Sequence, residues 1–333
     1  MTRIQSGAHY AVIGAGLSGL SCARLLAQSG ANVTVFEKSR GLGGRLATRR
    51  SDAGAFDHGA QYFTARTPAF QNLVRRLQHS GDVARWSPRV MDPPDEPWYV
   101  GVPGMSAMAK ALGDGLTVLP GVRVTELIRR QSSWTLAGQD GPVQGVFDGV
   151  VVTAPPAQAS VLIQAHAPQW SQQLDQIEMQ PCWTLMLVTA QLDLPVDAQT
   201  MEGVPIGWWA RDDSKPGRAI TPGQARWVIQ ASPSWSQAHV NDTAQDVGQA
   251  LLACFSSQVA GMRSLPNACV VGVHRWLYAR RRADQPVSPQ SLWDPGLGLG
   301  VCGDGLIHSR VEHAFVSGQA LARQILALPA QAC

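Results

Sequence analysis

The stretch Ala11 to Leu20, AVIGAGLSGL, decides the fold of this chain. An apolar run that predicts a first strand leads into three glycines spaced as G-x-G-x-x-G. Leu17 to Gln28 then follows as a predicted helix, which the pair Ser29-Gly30 ends. Asn32 to Phe36, NVTVF, is rich in β-branched residues and predicts a second strand. This strand–helix–strand order predicts the opening unit of a doubly wound α/β sheet.

The three glycines have separate tasks in such a unit. Gly14 permits the tight turn, Gly16 lets the backbone approach a pyrophosphate, and Gly19 lets helix and strand pack closely. Glu37 stands 18 residues after Gly19, at the end of the second strand, where a carboxylate can accept hydrogen bonds from ribose hydroxyls. This context favours a dinucleotide site over a plain structural turn. The predicted contacts here are Gly14, Ala15, Gly16, Leu17, Ser18, Gly19, Glu37 and Lys38.

Two further stretches carry a family resemblance. FEKSRGLGGRLATRR, with Gly43-Gly44-Arg45, resembles the second signature of the flavin amine oxidase superfamily, whose members hold FAD. Gly300 to Ala322, GVCGDGLIHSRVEHAFVSGQALA, resembles that superfamily's C-terminal flavin motif. The resemblance implies that Asp304 accepts hydrogen bonds from ribityl hydroxyls. It also implies a helix beginning near Arg310-Val311, whose N-terminal dipole faces the flavin pyrimidine edge, where negative charge gathers on reduction.

Within this superfamily the chain most resembles the bacterial renalases. The resemblance rests on KSRGLGGRLATRRSDAGAFDHGAQYFTAR, GVPGMSAM, HRWLYAR and the C-terminal motif, and it is weakest between about residues 160 and 265. It implies oxidation of the 1,2- and 1,6-dihydro isomers of NAD(P)H to NAD(P)+, with dioxygen becoming hydrogen peroxide. It also implies a set of site residues. The implied catalytic residues are His274, Gln61, Tyr62 and Trp276, and the implied substrate contacts are Thr64 and Arg66. The further FAD contacts that it implies are Gly44, Arg45, Gly59, Ala60, Gln61, Tyr62, Val124, Ala154, Gly303, Asp304, Arg310, Val311 and Ala314.

The lysines bear on the choice of reaction. Flavin amine oxidases place a lysine on a strand near flavin N5, and here Lys38 follows Glu37, Lys110 lies in a predicted helix, and Lys215 lies in the turn-like DDSKPG. The strand expected to approach the flavin carries His274 and Trp276 instead. Hydride transfer from a dihydronicotinamide needs no general base, because its product ring is aromatic, so the protein's task is stacking and orientation. No Ser-Gly-Gly-Cys attachment signature occurs, so FAD is expected to be noncovalent.

Several residues keep two interpretations. Arg66 either meets a substrate phosphate or pairs within the protein, and His274 is either an active-site wall that bonds a carboxamide or a core histidine. Trp276 either flanks the nicotinamide or packs in the core. Arg280-Arg281-Arg282 is expected to be a solvated loop rather than a diphosphate site. The tryptophans expected to be plain packing are Trp183, Trp208, Trp209 and Trp227.

The order of elements predicts an FAD-binding, Rossmann-like domain that is interrupted by a mixed-sheet α+β substrate domain. We assign residues 1–66, 100–155 and 266–333 to the FAD-binding domain. Residues 67–99 and 156–265 form the substrate domain. The chain of 333 residues is long enough for two intimate domains.

Composition excludes several classes. With 45% apolar and 15% charged residues and a net charge of +3, the chain is globular and shows no electrostatic signal for nucleic acid. No apolar window is long enough to cross a membrane, and the N-terminus lacks the features of a signal peptide.

Six cysteines without a C-x-x-C pair favour reduced, mostly buried thiols in a cytoplasm. His58, His308 and His313 lack metal-ligand spacing, so no metal is expected. The oligomeric state stays open.

Three rival functions remain at this point. The first is an amine or amino-acid oxidase on the same scaffold. The second is a desaturase or hydroxylase-like enzyme acting on a bulky apolar substrate, which only the tryptophan-rich middle supports. The third is a non-catalytic dinucleotide-binding module that senses redox state.

Overall fold

The structure, a computed structural model, describes residues 7–93, 95–203, 205–259, 261 and 264–327. The strands are β1 (His9–Ile13), β2 (Asn32–Glu37), β3 (Thr48–Ser51), β4 (Gly54–Asp57), β5 (Val83–Trp86), β6 (Trp98–Gly101), β7 (Thr117–Pro120), β8 (Val124–Arg130), β9 (Ser133–Gly138), β10 (Gly141–Phe147), β11 (Gly149–Val152), β12 (Met179–Ala190), β13 (Ala198–Thr200), β14 (Ile206–Arg211), β15 (Gln224–Ala231), β16 (Cys269–Arg281), β17 (Ser291–Asp294) and β18 (Leu299–Cys302). The helices are α1 (Leu17–Gln28), α2 (Pro68–His79), α3 (Ser106–Gly113), α4 (Pro156–Ile163), α5 (Pro168–Asp175), α6 (Pro233–Ala238), α7 (Ala244–Cys254) and α8 (Val311–Ile325).

A six-stranded sheet has the order β17-β18-β11-β1-β2-β7. Its strands pair in parallel except at the edge, where β17 runs antiparallel to β18. The central strand β1 pairs with β2, so that Ile13 lies opposite Phe36, and with β11, so that Ile13 lies opposite Val152. Because these strands are buried on both faces, they read as continuous apolar runs.

The two faces of this sheet carry different layers. Val12, Val35 and Val151 point into a core shared with α1, α3 and α8. Ile13 and Phe36 point the other way, into a core built with the β8-β9-β10 sheet and with α4 and α5. Alternate residues of one strand thus serve opposite layers. This confirms the predicted Rossmann-like α/β fold class.

A five-stranded antiparallel sheet, β13-β14-β15-β12-β16, forms the second body of the chain. One face is a closed apolar core in which Trp183, Trp209 and Trp227 pack with residues of α7. These three tryptophans are packing residues, as expected. The remaining described strands form two antiparallel pairs, β3 with β4 and β5 with β6.

Local interactions determine where several elements begin and end. Helix α1 has the predicted bounds, and Thr67 caps α2 by accepting a hydrogen bond from the amide of Phe70. The chain turns between β10 and β11 at Asp148, whose carboxylate accepts from the His9 amide at 2.7 Å. Helix α3 begins at Ser106. Gly104, two residues before this helix, lies so close to Thr48 that an added Cβ would lie 2.7 Å from the Thr48 hydroxyl oxygen.

The predicted domain boundaries stay a prediction, and two segments cross them. Strand β16, placed in the FAD-binding segment 266–333, pairs with β12 in the five-stranded sheet. Helices α4 and α5, placed in the substrate segment, contribute to the core under the six-stranded sheet. Long strands such as β16 follow their hydrogen-bonding partners rather than the order of the chain.

Candidate active site

In the first glycine loop, packing requires glycine at Gly14 and Gly19 but not at Gly16. At Gly14 and Gly19 an added Cβ would lie 2.5 Å from the Thr153 hydroxyl and 2.0 Å from the Gly14 carbonyl oxygen, respectively. Gly16 has ordinary extended backbone angles, φ −73° and ψ 173°, and no protein atom within 4 Å of an added Cβ. The open space above Gly16, at the start of α1, is therefore left for a ligand.

Glu37 is held rigidly beside this loop. Its buried carboxylate accepts hydrogen bonds from the backbone amides of Ala15 and Ser39, each at 2.8 Å. Each carboxylate oxygen keeps a second lone pair for a further donor. The side chain thus points a pre-oriented acceptor at the nucleotide site, where a ribose would present its hydroxyls.

Arg45 and Asp304 close the opposite side of the cleft. They form a two-pronged ion pair, with distances of 2.9 and 2.5 Å, although one lies near the beginning and the other near the end of the chain. Gly44 faces Gly16, and an added Cβ on Gly303 would meet nothing within 4 Å. The residues that line this cleft include Arg45, Thr153, Ala154, Cys302, Gly303, Asp304 and Leu306.

The start of α8 lies next to the same cleft. The helix begins at Val311 with Arg310 as its N-cap, as predicted, and the amide of Ala314 donates to the Arg310 carbonyl at 3.2 Å. Glu312, buried in the first turn, accepts from the Thr67 amide and hydroxyl at 2.6 and 2.7 Å. The helix start is thereby tied to the 57–67 region.

These features fit FAD. The open glycines supply backbone amides and a helix N-terminus for a pyrophosphate, Glu37 supplies a ribose acceptor, and Asp304 supplies an acceptor for the ribityl chain. Of the predicted FAD contacts, Arg45, Ala154, Gly303 and Asp304 line this cleft. Lys38 lies at its exposed rim, 3.4 Å from Gln158, and Val124 opens β8 in the core beneath.

The 57–62 segment, Asp57 to Tyr62, joins this cleft to the five-stranded sheet. The amide of Ala60 donates to the Arg45 carbonyl at 2.9 Å, and an added Cβ on Gly59 would lie 2.0 Å from the same oxygen. The Gly59 carbonyl accepts from Gln230 at 2.7 Å, and the His58 carbonyl accepts from the Trp276 indole at 2.8 Å. The segment therefore lies between the Arg45 side of the cleft and the sheet.

The face of the sheet toward this segment, called the roof below, carries a row of polar and aromatic residues. Trp208 of β14 lies directly opposite Gln230 of β15, Gln230 opposite Thr184 of β12, and Thr184 opposite His274 of β16. The row has no acidic or basic residue apart from His274. Trp208, expected to be plain packing, lies on the opposite face from Trp209, only half-buried.

Two histidines meet at one end of the roof. The rings of His58 and His274 lie 5.0 Å apart edge to face, and the His274 ring lies 4.3 Å from that of Trp276. Burial, the His274 ring and the Arg49 guanidinium lower the pKa of His58 to about 4. Burial and Arg49 also lower the pKa of His274. Both rings are therefore uncharged at neutral pH.

Aromatic rings occupy the other end. Tyr62 stacks on Trp98, with ring centroids 4.0 Å apart and planes 16° apart, and Trp208 lies 5.4 Å from Tyr62. Burial raises the pKa of the Tyr62 hydroxyl. The indole nitrogen of Trp208 is buried with no hydrogen-bond partner in the described part of the chain. Since a buried donor without a partner costs free energy, a ligand that accepted a hydrogen bond from this N–H would remove that cost.

A buried charge cluster supports the 57–62 segment from behind. Lys215 donates to Asp212 at 2.7 Å and to the Gln61 amide oxygen at 3.3 Å, and it lies 3.6 Å from Asp57. Arg218 pairs with Asp57 as well, which lowers the pKa of the Asp57 carboxyl together with Lys215. Lys215 lies in a turn, as expected, and its side chain is fully buried. Gln61 donates its amide to the carbonyls of Asp57 and Gly59, so it braces the segment.

The two predicted substrate contacts face outward. Arg66 pairs with Glu96 at 2.7 Å on the surface, the second of its two interpretations, and Thr64 hydrogen-bonds the same carboxylate. The Arg280 to Arg282 run is not a solvated loop. Arg280 and Arg281 end β16, and the buried Arg281 donates to the carbonyls of Gly305 and Leu306. Arg282 pairs with Glu178.

The prediction from sequence missed Thr184, Gln230, Lys215 and Arg49. For Thr184 and Gln230 a signal existed, since each is a polar residue within an otherwise apolar strand. A polar side chain on a buried strand face needs a partner or a ligand. Lys215 gave no such signal, because its neighbours have the composition of a turn.

No group of histidine, cysteine and acidic residues in the described ranges could hold a metal ion, and none of the described helices is long and apolar enough to cross a bilayer. The described cysteines are free thiols; Cys22, Cys254 and Cys302 are buried, and Cys269 is exposed. Cys333 and the N-terminal residues 1–6 lie outside the described residues.

Comparisons with known proteins agree with this geometry. A sequence model of an NAD(P)-binding Rossmann-like domain matches residues 12–77, and the model of flavin-containing amine oxidoreductases matches residues 89–326. Protoporphyrinogen oxidase 2 of Arabidopsis thaliana is 41% identical over 72 residues, a segment that takes in 22% of this chain and only 14% of that protein.

Solved structures share the fold over almost the whole chain. A protein of Exiguobacterium sp. 255-15, described as a candidate protoporphyrinogen oxidase, superposes with a TM-score of 0.74 over 97% of this chain and 99% of its own, at 13% identity. A double mutant of putrescine oxidase gives a TM-score of 0.66 over 96% of this chain and 100% of its own, also at 13% identity. At such identities the likeness concerns the fold alone. The family match extends over well more than half of the chain, so the protein belongs to the flavin-containing amine oxidoreductases, with FAD as its cofactor.

Proposed function

We propose that this protein oxidises the 1,2- and 1,6-dihydro isomers of NAD(P)H. The overall reaction is dihydro-NAD(P) plus dioxygen plus a proton, giving NAD(P)+ and hydrogen peroxide. Bound FAD would supply the two-electron acceptor between the dihydropyridine, oxidised at C2 or C6, and dioxygen. The substrate partners are therefore a pyridine nucleotide and dioxygen.

One observation carries the proposal: the described strands of the roof carry no carboxylate, and the charged side chains packed on this face, such as Arg226, are positive. Its row of Trp208, Gln230, Thr184 and His274 has no carboxylate to receive an ammonium group. Arg49 adds positive charge beside His274, since an added Cβ on Gly272 of β16 would lie 3.3 Å from the guanidinium carbon. A cationic amine would meet repulsion here, whereas a neutral dihydropyridine ring on an anionic dinucleotide would not.

In this reaction the protein's side chains only position the substrate ring, exclude water and avoid charge repulsion. The roof and the 57–62 segment exclude water and hold a flat ring against the flavin face, which is what hydride transfer between two rings requires. A lowered pKa keeps His274 neutral, so that its ring can donate or accept a hydrogen bond without repelling the positive charge that develops on the pyridine. No group has to remove a proton from the substrate.

The test is anaerobic flavin reduction. Borohydride-reduced NAD, which contains the dihydro isomers, should bleach the flavin absorbance of the purified protein, and admitted air should restore it with one hydrogen peroxide per NAD+ formed. Ordinary 1,4-NADH is the matched control and should act far more slowly. Bleaching by putrescine, aromatic amines or L-amino acids, with none by the isomers, would overturn the proposal.

A second candidate is oxidation of an amino acid. Arg49 beside His274 is the observation that favours it, because a guanidinium can receive an α-carboxylate. The same anaerobic assay with a panel of L-amino acids separates the two candidates.

A further inference from the structure

Two hydrogen-bonding groups of the roof have no use within the described protein. Gln230 donates one N–H to the Gly59 carbonyl at 2.7 Å, and none of the described residues donates to its amide oxygen. The buried indole N–H of Trp208 likewise has no partner there. One group is an acceptor and the other a donor.

The two residues that carry these groups lie side by side. Trp208 and Gln230 are directly opposed residues of β14 and β15, and opposed residues in an antiparallel pair have Cβ atoms about 4.5–5.5 Å apart. The bond to Gly59 fixes the Gln230 amide, so its oxygen has a defined direction. The nitrogen of Trp208 is held by the stack of Tyr62 and Trp98.

A neighbouring acceptor and donor match a primary carboxamide, which presents an NH2 and a C=O from one carbon. We propose that the Gln230 amide oxygen and the Trp208 indole N–H together bind the carboxamide of the nicotinamide ring and so determine which pyridine is oxidised. This inference rests on the proposed function, and it names the specificity-determining residues of that site. A dihydropyridine that keeps the carbonyl but lacks the NH2 would leave Gln230 unpaired.

The test compares two reduced dinucleotides in stopped-flow flavin reduction. Borohydride-reduced NAD carries the carboxamide, and borohydride-reduced 3-acetylpyridine adenine dinucleotide carries a methyl ketone in its place. In the Gln230→Met variant, reduction by the first should slow roughly 10- to 100-fold while reduction by the second changes little, so the ratio of the two rates collapses. In Trp208→Phe both should slow together, because both substrates keep the carbonyl.

A binding measurement accompanies the rates. NAD+ should perturb the flavin spectrum of the wild type, and its Kd should rise roughly tenfold or more in Gln230→Met. Gln224→Met is the matched control, since Gln224 begins the same strand and is exposed. It should leave rates and Kd unchanged.

The outcomes separate the two proposals. If wild-type flavin is not reduced by either dinucleotide, the proposed function fails. If borohydride-reduced NAD reduces it but Gln230→Met slows both substrates by the same factor, Gln230 acts only by holding Gly59 in place, and the inference is overturned while the function stands.

Discussion

At Gly16 an added methyl group would meet no protein atom within 4 Å, whereas at Gly19 it would lie 2.0 Å from a backbone oxygen. The two glycines belong to one sequence motif, but their physical reasons differ. Gly19 is small because helix α1 lies against the turn at Gly14. Gly16 is small although the protein leaves room, as expected where the backbone approaches a bound pyrophosphate.

Alanine substitutions at Gly19 and Gly16 should distinguish the packing requirement from the ligand requirement. Gly19→Ala should lower the free energy of unfolding of the apoprotein by about 2 kcal/mol or more, because backbone has to move. Gly16→Ala should leave that stability nearly unchanged and weaken FAD binding about tenfold or more. Urea unfolding and FAD titration by fluorescence quenching measure the two quantities. Equal loss of stability in both variants would contradict this division.

Between elements, the buried charge cluster links the 57–62 segment to the turn that follows β14. Asp57 receives Arg218 and Lys215, and Arg218 also donates to the Gly101 carbonyl at 2.9 Å, before the turn that leads to α3. Three segments distant in sequence thus share one cluster of charges without solvent. Such a cluster tolerates the loss of a member poorly, since the charge left behind stays buried.

Removing one cation of the cluster should therefore be costly. Arg218→Met is expected to lower the free energy of unfolding by about 3–5 kcal/mol, because it leaves Asp57 under-compensated in the interior. Arg282→Met is the control, since its partner Glu178 is exposed and solvent screens such surface pairs, so its loss should change stability little. Thermal and urea unfolding of both variants measure the difference. Similar stabilities for the two would refute the role given to the cluster.

Across the whole molecule, the cofactor site is assembled from both parts of the sequence. Arg45 pairs with Asp304, and α8 packs so closely on α1 that an added Cβ on Gly318 would lie 2.1 Å from the Ser18 carbonyl oxygen. FAD bound between these parts holds them together. Its binding free energy should therefore appear as stability of the entire chain.

Thermal unfolding should depend on FAD concentration. At 100 times its Kd, FAD should add about 2.7 kcal/mol to the free energy of unfolding and raise the Tm accordingly. Arg45→Met should shift this dependence to higher FAD concentrations, whereas Arg85→Met, at an exposed position of β5, should not. Scanning fluorimetry across an FAD titration measures both, and a Tm independent of FAD would contradict the assembly described here.

The nucleotide half of the site was predictable because its signals are local. The glycine spacing and the acid that ends β2 depend on backbone conformation within a few residues, and the helix start at Val311 followed from the family resemblance. The roof was not predictable in the same way. Trp208 and Trp209 are neighbours in sequence and look alike, and only the pleat of β14 sends one to the roof and the other to the core.

The sequence by itself determined a Rossmann-like FAD-binding fold, because the turns, helix ends and apolar strands that build it are specified by short-range sterics and hydrogen bonding. Only the tertiary structure decided what faces the substrate. Lys215 became buried because Gln61, 154 residues away, and Asp57 receive its charge, and Gln230 gained its direction from Gly59, 171 residues away. Contacts over such separations are set by how sheets pack against each other, which no local pattern encodes.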